Sequence, residues 1–427
     1  VTEAGLRHSS YAQEFEQSMI TKLITRLRRP AAVAVLAGAV LVAAACSSQS
    51  STTTAPQSRP STSTGADGCI TDFKAGTDYF PVKQHLQYAK NFTLSYHKSY
   101  QVLTVKQPTV GGKPESYVLV KCGAPKPKLT GALAKAPEVT TPVESLFSAS
   151  TTHLPSLEAL GKLDVLTGVA SKSLISSKAA KARADQSDVV EFAPAGTADA
   201  EKIVAAKPDV LITAGQDDPA YATVRQAGIP VLADTEYLEP TALGEAEWIK
   251  YFAALTGTEQ KAAGVFDKIA SSYNAEVRKV ADVKPTEVLV NQPYQGVWTM
   301  PTGGTPMGRL ITDAGGSWPW QQDESTSSKN TDLETVFAKS GSAKLWITST
   351  NWKTKKEALA SEPRFAEFTA YKSGQVWAPS LQVNAAGGNN MYELGVLRPD
   401  LEIGDLIAIL HPDLEPGHKF TFYQQLH

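Results

Sequence analysis

The chain is expected to fold as an α/β protein: two parallel-sheet α/β lobes joined by a single long helix, with a small N-terminal β extension. Three observations predict this. Short apolar runs alternate with amphipathic stretches over residues 143–236 and again over 286–427, the pattern of a parallel sheet flanked by helices. Between those zones, residues 241–281 hold the longest helical periodicity. Ahead of them, residues 69–123 alternate apolar and polar positions, as in a small antiparallel sheet.

The first 68 residues stand apart. Residues 31–45 are fifteen uncharged, mostly apolar positions that follow Lys22, Arg26, Arg28 and Arg29. A spanning helix needs about 20 such residues, so the basic, apolar and small-residue order reads as a secretory signal. Ala43, Ala44 and Ala45 lead into Cys46, which is similar to a bacterial lipobox, although Ala43 stands where Leu is usual. Cys46 is then the lipidated mature N-terminus; ordinary signal cleavage with a spare Cys is the alternative. Met19 is the expected start of translation, because residues 1–18 carry no targeting logic. From Ser47 to Gly68, twelve of 22 residues are Ser or Thr, a composition that cannot offset ordering entropy and reads as a tether. Two acyl chains anchor stably where one does not.

In the extension, Phe92, Leu94 and Tyr96, then Val102, Leu103 and Val105, then Tyr117 to Val120 mark three strands. Val110-Gly111-Gly112-Lys113 forms a turn between two of them. In an exported chain Cys69 and Cys122 are expected to pair; two buried free thiols are the alternative. Pro-rich residues 124–142 read as a link. Strands are expected at Val143–Ala149, Val165–Val169, Val210–Ala214 and Val231–Ala233, with helices at Ser156–Leu163, Ala198–Ala206 and Pro219–Ala227. In the helical stretch, Trp248, Ile249, Phe252 and Leu255 share a face, then Phe266, Ile269, Tyr273, Val277 and Val280. Gly257 breaks it and Thr258 caps the second part. The last zone gives strands at Val288–Asn291, Leu345–Ser349 and Val376–Ala378, and helices at Met307–Ala314, Leu333–Lys339, Pro363–Phe368 and Leu401–Leu410.

The organisation expected is therefore an upstream extension with signal peptide (1–45), a lipidated Cys and tether (46–68), an N-terminal lobe with its β extension (69–240), an interlobe helix (241–284) and a C-terminal lobe (285–427). One unit occurs in both lobes. Asp199-Ala200-Glu201 begins a helix that precedes the strand at Val210, and Asp332-Leu333-Glu334 begins one that precedes the strand at Leu345. A shared helix start, with Asp as cap, accounts for the pattern equally well.

Chemistry-bearing motifs are sparse. The 41 Lys and Arg against 43 Asp and Glu leave no basic footprint for nucleic acid. No nucleophile elbow, zinc-protease motif, Cys pair at metal spacing or phosphate loop occurs, so nothing argues for an enzyme or a bound cofactor. The seven His are scattered; a metal site around His153 would have to assemble in three dimensions. All seven Trp lie after residue 247, and Trp298, Trp318, Trp320 and Trp352 stand beside loop-forming residues. Loop aromatics around a cleft suit a large, flat ligand; capping of the lobe's own core is the other reading.

Taken together, lipobox, tether, two α/β lobes and one joining helix resemble the substrate-binding lipoproteins of ABC importers, in the branch that binds ferric siderophores, haem and cobalamin. The resemblance covers roughly residues 140–427. It rests on Val143–Ser148 followed by Thr151-Thr152-His153-Leu154-Pro155, on Glu201, Ile203 and Lys207-Pro208-Asp209, on Asp313-Ala314-Gly315-Gly316, and on Arg398-Pro399-Asp400 through His411-Pro412. It implies capture of an iron chelate between the lobes, outside the plasma membrane, and delivery to a permease. It also implies that Glu201 and Glu334, one per lobe, dock on permease arginines. The ligand is expected at the C-terminal ends of the strands, against Thr152, His153, Gln216, Tyr237, Trp298, Trp352 and Tyr392. Those loops carry no cation except Lys353, which favours a neutral hydroxamate complex, haem or a corrinoid over a highly anionic chelate. Rival readings are a free-metal binder, a receptor or scaffold that uses the same fold, and a lipid-anchored envelope hydrolase. The single helix implies a small lobe rotation on binding.

Overall fold

The computed structural model describes residues 64–65, 67–216 and 218–427. The expectations for Met19, the signal segment, Cys46 and most of the tether lie outside the described residues.

The extension is a four-stranded sheet: β1 (Phe92–His97), β2 (Tyr100–Val105), β3 (Glu115–Lys121) and β4 (Glu138–Thr141), in that order. The first three are antiparallel and β4 lies parallel to β3. The Pro-rich link therefore ends in a strand, a correction to its reading as a plain connection. Its Val139 is buried, and β3 supplies the hydrogen-bonding edge. Cys69 and Cys122 form a disulfide that ties the incoming chain to the end of β3.

Two buried carboxylates fasten the extension to the N-terminal lobe. Glu247 accepts backbone N–H groups of Gln87, Tyr88 and Ala89 and the Lys250 ammonium at 2.7 Å. Glu239 accepts those of Lys90 and Asn91 and the Trp248 indole N–H. Both carboxylates are almost fully buried, and such charges are tolerable only when paired and hydrogen-bonded, as here.

The N-terminal lobe sheet holds β5 (Leu146–Ser148), β6 (Leu166–Val169), β7 (Val190–Glu191), β8 (Val210–Thr213) and β9 (Val231–Ala233), ordered β7-β6-β5-β8-β9 and parallel throughout. Side chains alternate across it: Val210 and Ile212 enter the main core, while Leu211 joins Phe147, Phe192, Ile203 and Val231 on the other face.

The C-terminal lobe holds β10 (Thr286–Val290), β11 (Pro293–Tyr294), β12 (Val297–Met300), β13 (Gly316–Ser317), β14 (Lys329–Thr331), β15 (Leu345–Ile347), β16 (Val376–Ala378) and β17 (Gln424–Gln425). Its main sheet runs β13-β10-β15-β16-β17, with only β17 antiparallel, and β11-β12-β14 form a side sheet. The run β6-β5-β8-β9 in one lobe thus has its counterpart β13-β10-β15-β16 in the other.

The helical stretch between the lobes is three helices, Ala242–Ala246, Ile249–Thr256 and Glu259–Lys279. Gly257 ends the second in the left-handed region, φ 67°, where glycine is favoured. Thr258 precedes the third, but its side chain makes no capping bond. That third helix has 21 residues, about 31 Å at 1.5 Å per residue, and packs along helix Pro399–Leu410. Ala262, Phe266, Ile269 and Tyr273 lie in a core continuous with both lobes.

Candidate functional site

In each lobe the parallel strands end at the same side, and the loops that follow them build the interlobe face. After β5, Ser150 accepts the N–H of Thr152 and starts the short turn Thr151–His153. After β9 come Asp234, Thr235, Glu236 and Tyr237, and the Asp234 carboxylate accepts the backbone N–H of Glu236 at 3.2 Å. Asp234 and Glu236 are both buried and joined to each other. Burial, then the Glu236 charge, pushes Asp234 well above the usual carboxylate range, and burial raises Glu236 too. Two adjacent desolvated carboxyls cannot both ionise, so the pair retains a proton.

His153 is fully buried below this pair. Ser148 Oγ donates to the Ser150 carbonyl at 2.7 Å, so the 2.9 Å contact between Ser148 Oγ and His153 Nδ1 requires the proton on Nδ1. His153 Nε2 is then a bare acceptor, 3.8 Å from Asp234 and without a hydrogen-bond partner. Burial pushes the imidazole down to about 3, so it is neutral. The Ser, His and Asp here do not form a nucleophile arrangement: the hydroxyl proton is directed to a carbonyl, and Ser148 is 1% exposed.

The expected site residues divide into three groups. Thr152 and Tyr237 are half-buried at the edge of the N-terminal face, and Gln216 is exposed in the loop after β8. A Cβ on Gly215 would lie 3.1 Å from the Tyr237 hydroxyl oxygen, so the Gly215–Gln216 loop and Tyr237 adjoin. On the other lobe Trp352 is half-buried after β15, packed on Trp346 and Phe365, and its carbonyl accepts from Ser380 Oγ. Tyr392 is exposed and donates to the Ser349 carbonyl at 2.8 Å, which brings it to the same loop as Trp352.

Two residues need correction. Trp298 is not a loop aromatic: it lies in β12, 0% exposed, donates to the Val290 carbonyl at 2.9 Å, and packs among Trp346, Phe365 and Phe368. Its neighbours in sequence read as loop because β12 is short and flanked by Gly296 and Pro301. His153 is not on the cleft surface but supports it from below. Trp318 and Trp320 are also buried; Trp318 donates to the Pro301 carbonyl.

Sequence reasoning missed helix Asn390–Leu397, which crosses to pack on Thr151–His153 and on helix Leu154–Ala159 of the other lobe. Its Glu393 and the preceding Asn384 bond to residues 173–177. Gly388 sits so close to the Leu174 carbonyl that a Cβ would be 2.0 Å from it. The Asn-rich run before this helix was the available signal, since Asn389 caps it.

Glu201 and Glu334 occupy matching places. Asp199 accepts the N–H of Lys202 and Asp332 that of Thr335, which starts the two helices. Each glutamate is exposed in the first turn, and the helices lead to β8 and β15, counterparts in the two sheets. Glu334 is paired with Arg364 at 2.6 Å. Among the described residues no group of three or more His, Cys, Asp or Glu could hold a metal ion, and no helix is long and apolar enough to cross a membrane. Two surface depressions, about 370 Å³ beside Trp320 and Lys339 and about 480 Å³ beside Tyr96 and Tyr100, are lined by none of the expected site residues.

Comparison with known proteins adds the following. The profile of the periplasmic binding protein family matches residues 147–378. Two proteins of Methanocaldococcus jannaschii, each named an uncharacterized lipoprotein, are similar in sequence. One is 29% identical over 231 residues, 52% of this chain and 53% of that protein, so the match spans about half its length. The other is 25% identical over 383 residues, 85% of this chain and 90% of that protein. Among solved structures, a periplasmic heme binding protein of Pseudomonas aeruginosa superposes with a TM-score of 0.51 at 18% identity, covering 67% of this chain and 98% of its own. At that identity the likeness is one of fold.

Proposed function

The chain belongs to the periplasmic binding protein family, and from that premise we propose that it is the extracytoplasmic, lipid-anchored solute-binding component of an ABC importer. It captures an iron chelate of the ferric siderophore kind between its lobes and passes it to a permease. It performs no covalent chemistry on the ligand.

One observation carries the reading. Glu201 and Glu334 are exposed at equivalent points of two equivalent helix–strand units, one on each lobe. A pair of carboxylates so placed suits two cationic sockets on a two-fold permease, where exposed charge sets register and partner choice. The names of the two archaeal relatives support the lipid anchor. A half-buried Trp352 beside the exposed Tyr392 on one lobe, and a half-buried Tyr237 on the other, support a bulky organic ligand.

The test is transport in vesicles that contain the permease and the lipidated chain. Glu201→Ala with Glu334→Ala should abolish stimulated uptake and leave ligand affinity unchanged. Undiminished uptake by the double variant would refute the docking role.

A further inference from the structure

The β extension is more than a cover for the lobe it sits on. Strand β9 is the edge of the N-terminal sheet, and an unpaired edge invites aggregation. The Tyr117 hydroxyl accepts the N–H of Ala233 on that edge at 3.2 Å, which accounts for the middle of β3. It does not account for the turn between β2 and β3, which continues past the end of β9 to the loops of the interlobe face.

There the Gln107 carbonyl accepts the Thr235 hydroxyl at 2.8 Å, and Asn91 holds Gln107 from the other side at 3.0 Å. Pro108 is buried. A Cβ on Gly215 would stand 2.8 Å from the Pro108 carbonyl oxygen and 3.1 Å from the Tyr237 hydroxyl, so Pro108, Gly215 and Tyr237 meet at one point. The tip has its own internal bond: the Gly112 N–H donates to the Thr109 carbonyl at 2.8 Å. Thr109 and Val110 are half-buried, and Gly111 and Lys113 are exposed. The turn is thus fixed before any ligand arrives, a condition that lowers the ordering cost of binding.

We propose that the β2–β3 turn, residues 107–113, is an added wall of the ligand cleft, closing it at the β9 end beside Tyr237, and that Val110 and Lys113 select the ligand. This rests on the reading of the interlobe face as the ligand site. An apolar side chain followed by a cation suits the rim of a bulky chelate that bears carbonyl or carboxylate groups at its edge. The family profile begins at residue 147, so the wall lies outside the family's common body. The second archaeal relative aligns with 85% of this chain, more than residues 147–427 can supply, so its match reaches into the extension.

The experiment uses the full chain in detergent, titrated with ferrioxamine B, a ferric tris-catecholate, haemin and cyanocobalamin, with Trp fluorescence as the signal and the thermal midpoint read on each sample. Val110→Ser and Lys113→Glu should each weaken the bound probe, by about tenfold together, with the midpoint unmoved. Lys126→Glu, an exposed change elsewhere in the extension, should leave affinity as it was. Unchanged affinity in both turn variants would reduce the turn to an edge cover and overturn the proposal, while the interlobe reading stands. If no probe binds the unaltered chain, the interlobe reading fails and this proposal fails with it.

Discussion

The Glu393 carboxylate of the C-terminal lobe accepts the backbone N–H of Ser176 in the N-terminal lobe at 2.7 Å. It accepts that of Ser177 at 2.8 Å, next to the start of helix Lys178–Ala184. The carboxylate is 1% exposed, and Asn384 adds a bond to the Ser173 carbonyl at 3.0 Å. The lobes are therefore tied along the helix Glu259–Lys279 and again where helix Asn390–Leu397, with its Glu393, crosses onto the N-terminal lobe. A ligand that separated them would have to break charge-assisted bonds as well as bend a helix.

Glu393→Ala should lower the stability of the chain by about 1–3 kcal/mol, the cost of leaving backbone donors without an acceptor. It should also free the lobes. Small-angle scattering checks the second part: the unaltered chain should change its radius of gyration little on ligand binding, and the variant should change it more. A large contraction in the unaltered chain would count against the double tie.

Trp298 and Trp352 should separate packing from binding. Trp298→Ala removes a fully buried indole and should cost about 3–5 kcal/mol by chemical denaturation. Trp352→Phe keeps an aromatic face against Trp346 and should leave stability nearly intact while weakening the ligand and removing much of the fluorescence response. Equal ligand affinity in Trp352→Phe would take that residue out of the site.

Glu402 and His153 should limit stability from opposite sides of the pH scale. Burial, then the Asp405 charge, pushes Glu402 up to about 8. The folded chain then holds a proton that the unfolded chain releases near 4.5, so stability falls as pH rises from about 4.5 through 8. His153 is held neutral down to about 3 while the unfolded imidazole takes a proton near 6.5, so stability falls as pH drops below 6.5. Glu402→Gln should flatten the loss seen on raising the pH, and His153→Asn, which keeps a donor toward Ser148, the loss seen on lowering it. Unfolding midpoints measured from pH 4 to 9 check both; a variant with the unaltered profile would refute its assignment.

Much of the fold was legible because burial leaves a local trace. The apolar runs at Val210–Thr213, Val231–Ala233, Leu345–Ile347 and Val376–Ala378 are strands, and the Asp199 and Asp332 starts are true side-chain caps. The rest depends on contacts distant in sequence. β4 exists because β3 offers an edge, which no Pro-rich composition announces. Trp298 is core because Phe365 and Phe368, some seventy residues away, close over it. Glu393 carries no mark in the sequence, and only the fold brings Ser176 to it.

The measurement that bears most directly on the account is the titration of the full chain, in detergent, with ferrioxamine B, a ferric tris-catecholate, haemin and cyanocobalamin. Saturable one-to-one quenching by at least one of them, at micromolar affinity or tighter and weakened in Trp352→Phe, is the result expected of a chelate held between the lobes. Absence of binding to all four would contradict it.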